Sequence, residues 1–475
     1  MTPWVTDSSA VLLTDLYQLT MAQAYFARGH TREAVFELFV RNLPARRNYL
    51  VACGLEDALH FLEGMQFGPE AIAALSRDAR FTEGFLEQLS GLRFTGDVDA
   101  VPEGTPLFPG EPLLQVIAPL PEAQLAETFL LNQIVFQTTI ASKAARVVTA
   151  AAGRTVVDFG LRRMHGADAG MKAARASFIA GVDATSNVLA ATVYGIPASG
   201  TMAHSYVQAH ESELEAFREF AAVYPDTVLL VDTYDTFEGV RNVIRLAREL
   251  GPAFRVRALR LDSGDLFALS VEVRRMLDEA GLGQVGLFAS GGLDEDIIGD
   301  LVARGAPIGG FGVGTAMGVS SDAPSLDAAY KLVQYDSKGR MKLSAGKATV
   351  PGRKQVFRMD DGRDVVAMSG EDLGGRPLLQ PVMRGGRRTR SISLDEARAH
   401  AREERSRLPA RLLAPPRATG GTERRARGRA QPPAPEPLVS AILSWSGRNA
   451  TCTFARSWKT QRSPRRCPRS PGCSS

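Results

Sequence analysis

Apolar and polar positions change rhythm twice along the chain. Up to about residue 140 the pattern is mixed. "TDLYQLTMAQAYFARG" has helical spacing, with Thr14 or Asp15 at its N-cap and Gly29 past its end. "AVFELFV" alternates as a strand does, and "FTGDVDAVPEGTPLFPGEPLLQVIAP" breaks into short strands between Pro and Gly. From Arg154 a regular beat begins. Six short runs recur: "TVVDFG", "GIPASG", "TVLLVDTY", "VRALRLDS", "QVGLFASG" and "IGGFGVGT". Between them lie helical stretches such as "FEGVRNVIRLARELG", "DLFALSVEVRRMLDEAG" and "DEDIIGDLVARG", each ending near a Gly. Strands alternating with helices predict parallel β/α units. Even spacing and a polar residue at nearly every run's end favour a barrel, with a doubly wound sheet as the alternative. Past about residue 330 the beat stops. "KATVPGRKQVFRMDDGRDVVAM" reads as hairpin material and "SLDEARAHAREERSRL" as a polar helix. Beyond Pro415 no usable periodicity is left, which predicts a disordered basic C-terminal tail.

The division that follows is an N-terminal α/β domain over 1–140, a β/α barrel over 141–330, a hairpin and helical segment over 331–413, and the tail over 414–475. An apolar fraction of 44% in 475 residues is enough to bury a real core. The net charge of +4 misleads about the body. From Arg417 onward 12 basic residues face 2 acidic ones, so the rest of the chain is net acidic. That argues against a nucleic-acid partner, since only the tail is basic. Cys53 alone lies in the body, and the spacings of the tail's Cys452, Cys467 and Cys473 match no zinc site. The opening residues carry no basic segment followed by an apolar stretch, and no apolar run is long enough to span a bilayer. A cytoplasmic protein with no membrane partner is expected.

Candidate chemistry clusters at the run ends. In order they supply Phe159 with Arg162 and Arg163; Thr201 with His204; Asp232 with Tyr234 and Asp235; Arg260, Asp262 and Asp265; Ser290, Gly291 and Gly292; and Gly312, Gly314 and Thr315. In a β/α barrel these points share one face, where active sites are built. Arg162 and Arg260 offer planar forks for phosphate or carboxylate. "SGG" and "GVGT" can bring bare backbone N–H groups close to a phosphate. Asp232 and Asp262 suit Mg2+ or sugar hydroxyls. Together they suggest a phosphorylated sugar handled with a metal. Taken singly, each has a plainer explanation: glycines as tight turns, Asp and Ser of "RLDSGDL" as helix caps, the arginines as surface residues. Their recurrence at every run end is what favours a site. His204 stands out among the six histidines, while His210 sits at helical spacing on a Glu-rich segment and reads as solvated.

Read together, "LLTDLYQLTMAQAYF", "FELFVRNLPARRNYLVACGLEDAL", "DFGLRRMHG", "GVDATSNVLAATVYGIPASGTMAHS", "LLVDTYDTFEGV", "RLDSGDL", "SGGLDE", "FGVGT" and "PGRKQVFR" resemble the nicotinate phosphoribosyltransferase family, in the family's order, over roughly residues 10 to 413. The resemblance implies an irregular α/β barrel with an α/β domain formed by the N-terminal part and later segments. It implies formation of nicotinate mononucleotide and pyrophosphate from nicotinate and phosphoribosyl pyrophosphate, coupled to ATP hydrolysis, in NAD salvage. It also implies a homodimer with shared sites, Mg2+ as cofactor and ATP as co-substrate.

Carried over, His204 is the histidine phosphorylated by ATP. Tyr17 is the aromatic that reaches into the neighbouring subunit, and Phe159 is the ring that stacks on the pyridine. Thr201 and Arg260 contact nicotinate. Arg162, Arg260, Asp262, Gly292, Gly314 and Thr315 surround the phosphoribosyl group. Asp232, with Asp262, is placed near the metal, whose ligands the resemblance does not fix. The alternatives are a nicotinamide-using relative or an inactive homologue that keeps the scaffold. The match stops after "SRLPARLL", where the family continues with an ordered region. Here "APPRATGGTERRARGRAQPPAPEP" and a Cys-, Ser- and Arg-rich end follow, carrying two of the three Trp; this reads as a shifted frame or a replaced terminus.

Overall fold

A computed structural model describes residues 5–344 and 349–414. The tail expected to be disordered, with its suspected frame change, lies outside the described residues. The six-beat region forms one parallel sheet. Its strand order is Ala184–Thr185, Thr155–Asp158, Gly310–Val313, Gly286–Ala289, Ala258–Leu261, Val228–Leu230. The two outer strands are not paired with each other, so the sheet curls as a half-barrel and the irregular barrel holds. One expected run is corrected. "GIPASG" is not a strand; the position belongs to Ala184–Thr185, and the run contributes a single bridge from Ala198 to Thr185. Pro197 has no N–H to give a ladder, and Ile196 is the run's only large apolar residue.

The period of two decides what the sheet offers on each face. Leu259, Leu261, Leu287 and Ala289 are buried against the surrounding helices. Arg260 and Phe288, at the alternate positions and paired in register, are less buried on the other face. The helices are set by their own ends. Asp235, Asp265 and Asp294 each accept backbone N–H groups of the first turn as N-caps. For Asp265 the plainer reading of a helix cap is therefore correct.

The N-terminal part forms a second layer, a seven-stranded antiparallel sheet. In it Glu33–Val40 lies between Ala328–Tyr335 and the middle strand Pro112–Pro119. Later strands join it, including Gln380–Arg384 beside Asp97–Ala100. Phe36 and Tyr330 stack across the first pairing at 4.9 Å. The hairpin read from sequence is Lys354–Arg358 with Asp364–Met368. The helix Glu127–Ala150 joins the layers, and the expected boundary at residue 140 lies inside it. Its first half puts Phe129, Leu130 and Ile134 into the antiparallel core. Its second half puts Ile140, Ala141, Ala144 and Ala145 against Ala173, Ala176 and Ala180 of helix Ala167–Ala180. Alanines on both faces let these two backbones approach closely.

The polar helix is Leu394–Ser406, opened by a capping box of Ser393 and Glu396. Its Arg398 donates to the carbonyls of Phe178, Gly181 and Val182, closing the end of Ala167–Ala180.

A buried ion cluster ties the long helix to the start of the helix Glu295–Ala303 and to the turn at Asp322. Lys143 Nζ lies 2.5 Å from Glu295 and 2.8 Å from Asp322, and Arg47 lies 2.6 Å from Asp322. Burial alone would raise the Asp322 carboxyl, but hydrogen bonds and charge from Arg47 and Lys143 outweigh it and hold it well below the usual carboxylate range. A carboxylate depressed on folding stabilises the native state above its unfolded value and loses that effect as pH falls toward its folded value. Asp322→Asn is therefore expected to cost up to about 3 kcal/mol at pH 7. The deficit should shrink as pH falls below about 4. Urea unfolding at pH 7 and near pH 3 checks this; an equal deficit at both would contradict it.

Candidate active site

The strand ends converge on one mouth, and its groups are linked by direct contacts. Arg260, on the open face of Ala258–Leu261, donates from Nη1 to Thr201 Oγ1 at 2.8 Å. Its Nη2 lies 3.9 Å from Asp262 Oδ1, and its buried Nε has no hydrogen-bond partner among the described residues. Burial lowers the guanidinium's pKa, while Asp262 and Asp232 pull it back up. A buried cation with unused donors is built to receive an anion.

Two residues beyond Arg260, Asp262 is the hub. Its Oδ1 accepts from the Ser290 hydroxyl, its Oδ2 lies 3.7 Å from His204 Nε2, and its backbone N–H donates to Asp232 Oδ2 at 2.9 Å. His204, the first residue of helix His204–Gln208, is held from its other side by Thr233 Oγ1, 3.2 Å from Nδ1. The Nε2 edge faces the mouth with the side chain 39% exposed, enough for a reactant to reach it. Asp232 Oδ2 also accepts from Ser263, while its buried Oδ1 has no hydrogen-bond partner among the described residues. Such an oxygen, next to the partly exposed Asp262, fits Mg2+, which uses one or two carboxylates and takes its other ligands from water and phosphate.

Phe159 follows the strand Thr155–Asp158 and lies over Gly312, with its centroid 5.9 Å from that of Phe288. Asp158 is buried behind it and accepts from the Gly160 N–H and the Thr185 hydroxyl, both at 2.9 Å, which fixes the turn. Arg162 is exposed in the short turn Leu161–Arg163, close enough to Arg260 to lower its pKa. Gly291 and Gly292 adopt φ of +87° and +64°. A Cβ on Gly291 would overlap the Asp262 carbonyl, whereas the space beside Gly292 is open. Gly314 and Thr315 begin the four-residue helix Thr315–Gly318 beside the Phe159 carbonyl.

Eleven positions were singled out from sequence for a role. The structure brings ten of them, His204, Asp262, Asp232, Phe159, Thr201, Arg260, Arg162, Gly292, Gly314 and Thr315, to this mouth. Tyr17 stands apart. It lies on helix Leu16–Ala27 of the other layer, 48% exposed, and no ring contact joins it to the mouth among the described residues. His210 is not a solvated surface residue. Its Nδ1 meets the Tyr206 carbonyl at 2.7 Å and its Nε2 meets Glu219 at 3.2 Å, with the side chain 14% exposed. Sequence reasoning missed Thr233 and Phe288. Only alternation along "GLFA" could have marked Phe288, and only to the extent of choosing a face.

Residues 12–135 match the nicotinate phosphoribosyltransferase (NAPRTase) N-terminal domain, and residues 155–348 match the nicotinate phosphoribosyltransferase (NAPRTase) family. Nicotinate phosphoribosyltransferase pncB2 of Mycobacterium tuberculosis is 56% identical over 407 residues, 84% of this chain and 88% of that one. This chain belongs to the nicotinate phosphoribosyltransferase family. The Bacillus subtilis nicotinate phosphoribosyltransferase is 46% identical over 361 residues, 74% of each chain. The crystal structure of human nicotinic acid phosphoribosyltransferase superposes with a TM-score of 0.76 at 30% identity, covering 84% of this chain and 95% of that one. No helix among the described residues is long and apolar enough to cross a membrane.

Proposed function

We propose that the mouth transfers the phosphoribosyl group of phosphoribosyl pyrophosphate to nicotinate, giving nicotinate mononucleotide and pyrophosphate, and that ATP hydrolysis through a phosphorylated His204 is coupled to it. Family membership supports the transferase activity. The observation that carries the choice of acceptor is Arg260, buried, partnered to Thr201 and left with a free Nε beside an aromatic shelf. Nicotinate is a flat anion; its ring suits Phe159 and its carboxylate suits Arg260 with Thr201. A neutral amide would give that cation no anionic partner beyond Asp262 at 3.9 Å, which disfavours the nicotinamide-using alternative.

The pyridine nitrogen already holds a lone pair, so no general base is required. As the nitrogen–C1 bond forms and the C1–pyrophosphate oxygen bond breaks, positive charge gathers on the ribose and negative charge on the leaving group. In this reading Arg162 and the N–H groups at Gly292, Gly314 and Thr315 meet that negative charge. Asp232 and Asp262 would hold Mg2+, which when bound neutralises pyrophosphate.

His204 serves a separate step. Thr233 fixes the Nδ1 edge, leaving Nε2 to accept a phosphoryl group from ATP. The new negative charge beside Asp262 would help order the cation and the sugar substrate.

A homodimer completes the pyridine slot in this reading, with Tyr17 of one copy covering the other's mouth. Supporting it is an unusual set of exposed apolar side chains: Leu16 and Tyr17 on one helix, and Val188, Leu189 and Val193 on another. A cytoplasmic setting with its supply of ATP fits these substrates.

A competition assay tests the acceptor. With labelled phosphoribosyl pyrophosphate and equal nicotinate and nicotinamide, the product should be the acid mononucleotide. Preferential formation of the amide product would overturn the reading.

A further inference from the structure

Four glycines in "GFGVGTAMG" fall at Gly310, Gly312, Gly314 and Gly318. Their sequence setting suggests bare N–H groups for phosphate, but their backbone gives a different reason for at least three of them. Positive φ occurs at Gly291 and Gly292 but not at these four. At Gly310, Gly312 and Gly318 a left-handed backbone is therefore not the reason for glycine, and space is. A Cβ on Gly310 would lie 2.8 Å from the Phe288 ring, and one on Gly312 would lie 2.5 Å from the Phe159 ring. At Gly318 a Cβ would overlap the Met164 methyl, and at Gly160 it would overlap the same methyl. Two glycines from separate segments thus leave one notch, and the end of Met164 fills it. Met164 closes the turn that carries Arg162, its N–H donating to the Leu161 carbonyl at 3.2 Å. Gly318 ends the helix that Thr315 begins.

We propose that Met164 is a positioning residue. Seated in the Gly160–Gly318 notch, it fixes the Phe159–Arg163 turn against the helix Thr315–Gly318, and so sets Arg162 relative to the Gly314–Thr315 amides. This deepens the functional reading above and rests on it. The thioether suits the task, since an unbranched flexible chain reaches into a slot that a β-branched one would not enter.

A double-mutant cycle tests it. Gly318→Ala puts a methyl where Met164 sits and should push the turn outward. The KM for phosphoribosyl pyrophosphate should rise about tenfold or more, with a smaller change for nicotinate. Adding Met164→Ala should relieve the clash and bring that KM back to within about threefold of Met164→Ala alone. Gly299→Ala, whose added methyl meets nothing within 4 Å, serves as the control and should behave as wild type. No rescue in the double variant, an unchanged Gly318→Ala, or a fall in Tm with both KM values unmoved would each overturn the proposal. If Gly318→Ala does not fold, Met164→Leu against Met164→Ala decides. Leu should keep the KM and Ala should raise it, and equal values would overturn the proposal. Wild-type turnover is measured in the same series, so a failure of the functional reading (an inactive wild type) is distinguishable from a failure of the notch.

Discussion

Arg260→Ala is expected to lower kcat/KM for nicotinate by roughly 30- to 1000-fold, the equivalent of about 2–4 kcal/mol. The side chain is 13% exposed, donates to Thr201 and is flanked by Asp262 at 3.9 Å. Truncation removes the cation paired in register with Phe288 and leaves the acceptor's carboxylate only the neutral Thr201 hydroxyl. The loss should be smaller for a pyridine lacking the carboxylate, because that acceptor never used the contact. Steady-state kinetics with nicotinate and 3-substituted neutral pyridines check this. A uniform loss across all acceptors would place Arg260 with the sugar phosphate and not with the base.

His204→Ala should remove the ATP stimulation and lower ADP release by about a thousandfold or more. The ring is held at Nδ1 by Thr233, 3.2 Å away, and Asp262 stands 3.7 Å from Nε2. That pair of contacts orients one nitrogen toward the mouth. The pyridine attack itself needs no base, so a slow ATP-independent transfer should survive in the variant. ATP stimulation that persists in His204→Ala would refute the phosphoryl-acceptor role. Loss of all turnover, with and without ATP, would point to a general role in binding.

The parallel sheet was readable because three of its strands are followed by helices with a local cap: Asp235, Asp265 and Asp294 each stand immediately before the helix and accept the N–H three residues on. The strand Ala184–Thr185 was not, because two residues carry no period and its partner run holds Pro197. Pairing in the antiparallel sheet was also hidden. Glu33–Val40 lies beside Ala328–Tyr335, and nothing local links residues so far apart.

At the mouth, residue types at run ends identified Arg260, Asp262 and His204, while their division of labour depended on register. The sequence shows glycines at Gly292, Gly312 and Gly318 as equivalent symbols. The fold separates a left-handed turn with open space beside it from seats for Phe159 and Met164. His210 was misread because its helical spacing says nothing of Glu219, which arrives from the next helix.

The most direct measurement is turnover by the purified full chain with nicotinate, phosphoribosyl pyrophosphate and Mg2+, with and without ATP, following nicotinate mononucleotide by mass and ADP in parallel. The account predicts nicotinate mononucleotide in both cases, faster with ATP and accompanied by ADP. No mononucleotide from nicotinate under either condition, or product formed with ATP present but no ADP released, would contradict it.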